Sequence, residues 1–157
     1  MKIQRKFGVI GALALFVLSG CASADAAGPP ASGGSIEVAV TKICAAGSSA
    51  DCVAVNGEHI LLTHSAFQRV ELKAAAAAND QSGNAVDLEL TEDGASVLAA
   101  STAAASEAGQ EARVVIKVGD KVMSAVRVAE PLRADHVTIQ LPDDVTAEEF
   151  TAQIRRS

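Results

Sequence analysis

Three histidines, His59, His64 and His136, are the side chains of this chain most able to hold a metal ion. Four residues lie between the first two, a spacing that we expect to form a metal site only on a helix. The dipeptide Asn56-Gly57 just before them instead predicts a β-hairpin, so we expect strand there and no metal site. The alternative to this expectation is a metal-binding or divergent enzymatic protein that uses His59, His64 and nearby acids.

Two pairs of neighbouring carboxylates, Asp143-Asp144 and Glu148-Glu149, are candidates for acid–base chemistry. Both pairs lie at the predicted start of the last helix, where negative side chains interact favourably with the helix dipole. We therefore interpret them as capping residues. The sequence contains no nucleophile elbow of the Gly-X-Ser-X-Gly type and no phosphate-binding glycine loop. These observations predict a protein that is not an enzyme and needs no cofactor.

The sequence Leu18-Ser19-Gly20-Cys21 ends a short apolar run, residues 7–18, that follows a basic N-terminus. The run is too short to cross a bilayer as a permanent helix, which is typical of a signal peptide in residues 1–20. This boundary resembles a bacterial lipoprotein lipobox. The resemblance implies cleavage before Cys21, lipidation of that cysteine and attachment to the membrane through its acyl chains. The alternatives are a secretory signal cleaved at Ala22-Ser23-Ala24 and an uncleaved anchor.

The same resemblance implies a location in the cell envelope, facing the periplasm or the exterior. Ala22, in place of an acid, favours the outer membrane in a Gram-negative host. With Cys21 lipidated, Cys44 and Cys52 are the two cysteines left to pair, and an oxidising envelope favours a structural disulfide. A redox pair is the alternative, but Asp51 beside Cys52 would raise a thiol pKa rather than lower it.

Residues 21–157 carry ten basic and nineteen acidic side chains, a formal charge of −9. An acidic protein is repelled by phosphate backbones, so we expect no nucleic acid partner. Phe67 and Phe150 are the only aromatic residues after residue 20, which disfavours sugar-binding and single-strand-binding surfaces built from stacked rings. Residues 21–34 are small, polar or chain-breaking and predict a flexible linker. Residues 35–157 then form a single domain.

Alternating apolar and polar residues predict most of this domain as strand. Asn56-Gly57 and Gly119-Asp120 predict two tight hairpins. The run Ala74–Ala78 has helix propensity, but the alternation before it favours strand. The predicted strands span residues 35–41, 52–55, 59–62, 69–78, 86–90, 114–118, 121–128 and 136–141.

Two helices complete the prediction. Thr91 is a good N-cap for a helix that ends at Gly109, and its face with Val97, Leu98 and Ser101 is expected to pack on the sheet. Thr146 to Glu149 forms a capping box that begins a short helix burying Phe150 and Ile154. The fold class is α+β: an antiparallel sheet with two helices on one face.

From about residue 70 to the C-terminus, the order of elements resembles the head subdomain of the first periplasmic domain of SecD, part of the SecDF protein-export complex. Three stretches carry the resemblance: the strand that runs into a helix with a Gly94-Ala95 pair, the hairpin of residues 114–128, and the closing helix that begins at Thr146. The chain departs from the family at Gly119-Asp120, where the turn order is reversed, and at Val126, where the family tends to have proline.

The SecD head is proposed to contact unfolded polypeptide, and the resemblance implies the same contact for this chain. It does not carry over the proton-driven activity, because residues 35–157 contain no long apolar run. We therefore expect a non-enzymatic, lipid-anchored envelope protein that binds protein or unfolded polypeptide, with a link to export. A structural or inhibitory lipoprotein is a further alternative. For polypeptide binding we expect strand addition at a sheet edge, and residues 136–141 are the candidate edge because Pro142 ends them.

Overall fold

The computed structural model describes residues 31–62, 66–78 and 84–157. Over these residues the chain is α+β, as the sequence predicts, with a curled sheet of mostly antiparallel strands and two helices. The elements in chain order are β1 (Ala31–Ser32), β2 (Ser35–Lys42), β3 (Cys52–Val55), β4 (Glu58–Leu61), β5 (Gln68–Ala77), β6 (Ala85–Leu90), α1 (Glu92–Ala108), β7 (Ala112–Val118), β8 (Lys121–Val126), β9 (His136–Gln140) and α2 (Ala147–Ile154).

The main sheet has the strand order β8-β7-β2-β5-β6-β9. β5 is long enough to pair with β2 through its first half and with β1 through its second half, while β6 lies along its other side. β2 lies at the centre of the sheet, between β5 and β7. β3 and β4 form a separate two-stranded sheet.

The predicted flexible linker, residues 21–34, includes four residues, 31–34, that belong to the folded domain. Ala31–Ser32 is strand β1, and Ala31 is fully buried in the core although the composition of residues 21–34 predicts a flexible coil. Gly34 then lies directly against Ile154, with a positive φ that glycine adopts without steric cost. Small side chains here allow close packing rather than disorder, so the folded unit includes residues 31–34. Residues 1–30, with the predicted signal peptide and Cys21, lie outside the described residues.

The predicted hairpins are confirmed. Asn56 and Gly57 both have positive φ, as in a type I′ turn. This two-residue turn matches the twist of the strands that it joins. Gly119 likewise has a positive φ between β7 and β8, although β8 ends at Val126 rather than at residue 128. The alanine-rich segment is strand in β5, as the alternation predicts, because β1 and β6 pair with it on either side.

α1 packs against β5 so closely that only glycine fits at one position. A Cβ atom at Gly94 would overlap the carbonyl oxygen of Glu71, and the Gly94 N–H donates to the N-cap hydroxyl of Thr91 over 3.0 Å. Leu98 and Ala105 on the same side of α1 are buried in the core. Gly94, the first residue of the Gly-Ala pair noted in the sequence, therefore allows the close approach of helix and sheet.

α2 begins with the predicted capping box: Thr146 accepts from the Glu149 N–H, and the Glu149 carboxylate accepts from the Thr146 N–H. Phe150 and Ile154 are fully buried in the same core cluster that receives the α1 side chains. The two helices therefore pack on one face of the sheet, as predicted.

The β3–β4 hairpin covers the opposite face. Ile60 of β4 is fully buried against Val115 of β7 and Ala125 of β8. Arg113 of β7 bonds the carboxylate of Glu58 with two hydrogen bonds of 2.6 Å each. The hairpin is thus attached to the sheet by an apolar contact and a bidentate ion pair.

Candidate functional site

The two edge strands of the main sheet, β8 and β9, approach each other because the sheet curls. They follow one another in the chain but lie at opposite ends of the strand order, and neither pairs with the other among the described residues. Residues of both strands nevertheless line one cavity of about 240 Å³, Val126 from β8 and residues 137–140 from β9. The strands run antiparallel, since five antiparallel pairings separate them. The site is a cleft between two free sheet edges, which we call the β8–β9 cleft.

The cavity at this cleft is lined almost entirely by aliphatic side chains. Its floor is the concave face of the sheet together with α1, and its lining includes Leu88, Leu90, Leu98, Val114, Ile116 and Ile139. At its mouth Val126 and Leu132 are 38% and 40% exposed, so the aliphatic lining continues to the protein surface. An exposed apolar surface that continues into a cavity is typical of a binding site.

β9 presents its backbone to the cavity. Val137, Thr138, Ile139 and Gln140 all line it, although successive side chains of a strand point to opposite faces. Four consecutive lining residues therefore mean that the strand's edge borders the cavity. β6 and β7, in contrast, contribute alternate residues from one face.

The hydrogen bonds to β6 show which β9 groups are free for pairing. The Leu90 N–H donates to the Asp135 carbonyl, and the Leu141 N–H donates to the Asn84 carbonyl. Alternate residues of an antiparallel strand bond to the same neighbour, so the odd-numbered residues of β9 face β6. The backbone groups of His136, Thr138 and Gln140 consequently point into the cleft.

Both ends of the cleft are bridged. At one end the Lys121 ammonium lies 4.0 Å from the Asp144 carboxylate, an exposed pair that joins the start of β8 to the segment after β9. At the other end residues 127–135 connect β8 to β9, and the Leu132 N–H donates to the Thr102 hydroxyl of α1 over 3.0 Å. Between these bridges the cleft continues past Ser124, Gln140 and Asp143.

The cysteines predicted to pair do so. Cys44 and Cys52 form a disulfide with a Cα–Cα distance of 6.1 Å, which closes the loop between β2 and β3. Lipidation of Cys21 falls outside the described residues and stays a prediction.

The other candidate metal-binding and acid–base residues do not lie together. His59 lies in the β3–β4 hairpin and His136 at the start of β9, while His64 falls outside the described residues. Residues 31–62, 66–78 and 84–157 contain no group of three or more His, Cys, Asp or Glu side chains able to hold a metal ion. Glu149 acts in the capping box, which confirms its interpretation as a capping residue. Asp144 instead lies before the N-cap Thr146 and pairs with Lys121.

Sequence reasoning missed the cavity and its mouth, although it singled out the edge strand that borders the cavity. Of the two residues at the mouth, only Leu132 carried a weak signal, since it is an aliphatic residue that lies beyond the end of the predicted strand 121–128. Arg113 was missed as well. Its position in the apolar run of β7 is a signal, because a buried arginine needs an acidic partner.

No protein-family model, curated protein sequence or solved structure matched the chain when it was compared with all three. Among the helices of the described residues, none is long and apolar enough to cross a membrane.

Proposed function

We propose that this chain is a non-enzymatic envelope protein, anchored through acyl chains on Cys21, that binds extended polypeptide segments at the β8–β9 cleft. The supporting observation is the free backbone edge of β9 beside an aliphatic cavity. A polypeptide in extended conformation adds to such an edge through main-chain hydrogen bonds, which give affinity with little dependence on sequence. The resemblance of residues 70–157 to the SecD head implies the same kind of ligand.

The charge of the chain suits this role. The acidic excess favours basic or neutral segments, and their attraction is screened as salt is added. The aliphatic cavity accepts apolar side chains without requiring the stacked rings that this sequence lacks. A link to protein export follows from the resemblance and from the predicted location in the envelope.

Binding is tested with the full chain in phosphatidylcholine vesicles and a labelled protein that can be kept reduced and unfolded. We expect weak, saturable binding of the unfolded form, weaker binding in high salt, and no binding of the folded form. Failure to bind the unfolded form at high micromolar concentration and low salt would overturn the proposal.

The variant Gln140→Pro tests the edge itself. Proline removes the Gln140 N–H that points into the cleft, and an edge position tolerates proline because the hydrogen bonds to β6 are made by other residues. Gln140→Ala is the matched control, since it keeps the N–H and loses only the exposed side chain. We expect the proline variant to lose most binding and the alanine variant to keep it; equal binding by both would place the ligand elsewhere.

A further inference from the structure

The two ends of the β8–β9 cleft differ in charge. Asp143 lines the cleft just beyond the end of β9, and Asp144 beside it is 77% exposed by its side chain even though it approaches Lys121. The connection at the opposite end, residues 127–135, carries two arginines and two acids and has no formal net charge. An elongated ligand therefore meets a net negative charge at one end of the cleft and none at the other.

The geometry of β9 fixes which end of a ligand meets that charge. β9 runs from His136 toward Pro142 and Asp143, and a strand added in the antiparallel sense begins where β9 ends. β9 contributes four consecutive residues to the cavity and β8 contributes only Val126, so we take β9 as the pairing edge. Antiparallel pairing with β9 is the slightly more stable arrangement. The amino-terminal end of such a ligand would lie beside Asp143 and Asp144.

The cavity determines the side chains of the segment that follows. Side chains of an added strand alternate between the two faces of the sheet, so one set would point toward the concave face. That face holds the aliphatic cavity, whose polar lining residues are Thr102, Thr138 and Gln140. Aliphatic side chains at alternate positions would fill it, whereas polar side chains there would lose their hydrogen bonds to water.

We propose that the cleft selects extended segments that carry a basic residue at the amino-terminal end of a run with aliphatic side chains at alternate positions, bound antiparallel to β9. This proposal rests on the proposed function, since it assigns the ligand class of the same site. The proposal specifies the chain direction of the ligand and the spacing of its aliphatic side chains. Nonspecific hydrophobic binding of unfolded chains would depend on neither.

The test compares short peptides on the full chain in phosphatidylcholine vesicles at low salt. The reference peptide has two lysines followed by a segment in which valine alternates with serine. A second peptide carries the lysines at the carboxyl end, and a third has the same composition with the valines in one block. Each peptide has blocked termini, so that the lysines alone carry charge.

We expect the peptide with carboxyl-terminal lysines to bind about two- to fivefold more weakly, the size of effect typical of an exposed ion pair. The block peptide should bind about tenfold more weakly or worse, since it loses a buried aliphatic side chain. The double variant Asp143→Asn/Asp144→Asn should remove the preference between the first two peptides. Equal affinity of all three peptides for the unaltered chain would overturn this proposal and leave strand addition itself standing. Failure of every peptide and of the unfolded protein would instead reject the proposed function.

A variant that fills the cavity separates a peptide from a lipid occupant. Val137→Phe places a larger side chain at a half-buried lining position, and Leu61→Phe, at an exposed position of β4 that does not line the cavity, is the control. Each variant is checked by its melting temperature. We expect Val137→Phe alone to weaken the reference peptide. If it abolishes binding of a fluorescent fatty acid and leaves the peptide unaffected, the cavity is an acyl-chain pocket and the proposal is wrong.

Discussion

The guanidinium of Arg113 donates from Nε and Nη2 to the two carboxylate oxygens of Glu58, each over 2.6 Å, and joins the β3–β4 hairpin to the main sheet. Arg113 is 7% exposed and also donates to the carbonyls of Gln110 and Ala112, so its charge is well satisfied. Glu58 is the more exposed partner. The hydrogen bonds from Arg113 lower the pKa of Glu58 and raise the pKa of Arg113.

The pH dependence of stability follows from the lowered pKa of Glu58. Its ion pair stabilises the fold fully above the carboxyl's unfolded pKa of about 4.3, and this stabilisation is lost as the pH falls through the lower folded pKa. We expect Glu58→Gln to lower the melting temperature at pH 7. Below about pH 4.3 the melting temperature of this variant should decrease less with falling pH than that of the unaltered chain. Glu107→Gln, at an exposed position of α1, is the control. A variant that melts like the unaltered chain at every pH would show that the pair contributes no stability.

Gly94→Ala should destabilise the fold by about 1–3 kcal/mol, because the added methyl group meets the Glu71 carbonyl oxygen and forces α1 away from β5. The same change on an open helix face would instead stabilise. Ser96→Ala, at an exposed position of α1, should change stability by no more than about 0.5 kcal/mol. Urea denaturation measures both. An unchanged unfolding midpoint for Gly94→Ala would contradict the close approach of helix and sheet.

Removal of the disulfide should cost about 2–3 kcal/mol on the loop-entropy estimate, since Cys44 and Cys52 are eight positions apart. The double variant Cys44→Ser/Cys52→Ser should therefore melt at a lower temperature but remain folded, because the main core is formed by other elements. Reductant should lower the melting temperature of the unaltered chain to that of the variant. Two thiols that react with a labelling reagent in the native, oxidised protein would show that the bond is absent.

Cys21→Ser should abolish incorporation of labelled palmitate and cause the uncleaved precursor to accumulate, since Cys21 is the cysteine at the lipobox-like boundary. The Cys44→Ser/Cys52→Ser variant is the matched control and should still be labelled. Palmitate that still enters the Cys21→Ser chain would reject lipidation at this residue. Fractionation of the membranes of a Gram-negative host tests delivery to the outer membrane, and retention in the inner membrane would contradict it.

Local patterns predicted the strands, turns and helix caps well, because each depends on residues close together in the chain. The turn at Asn56-Gly57 depends on the φ angles of these two residues alone. The caps at Thr91 and Thr146 form their hydrogen bonds with residues three positions along the chain. β1 was missed because Ala31 is buried through its fit beside β5 and α2 rather than through its own hydrophobicity.

The cleft was beyond local reasoning. Its existence depends on the strand order and on the curl that brings β8 near β9, and neither leaves a signature at Val126 or Gln140. The prediction of residues 136–141 as an edge is confirmed by the strand order, in which β9 comes last beside β6, although Pro142, which suggested it, lies after the strand. The exposed backbone edge of the site became apparent only from the consecutive lining residues of β9.

The position of β2 at the centre of the sheet has a consequence for how quickly the chain folds. β5–β6 and β7–β8 join strands that are neighbours in the chain, whereas β2 must find β5 and β7, and β9 must find β6, across long intervening segments. Closing such long loops costs entropy before the contacts compensate for it, so sheets of this kind fold slowly. A chain that crosses a membrane unfolded would therefore form its local hairpins first. The β9 edge of the cleft would be completed only late in folding, once β9 has paired with β6.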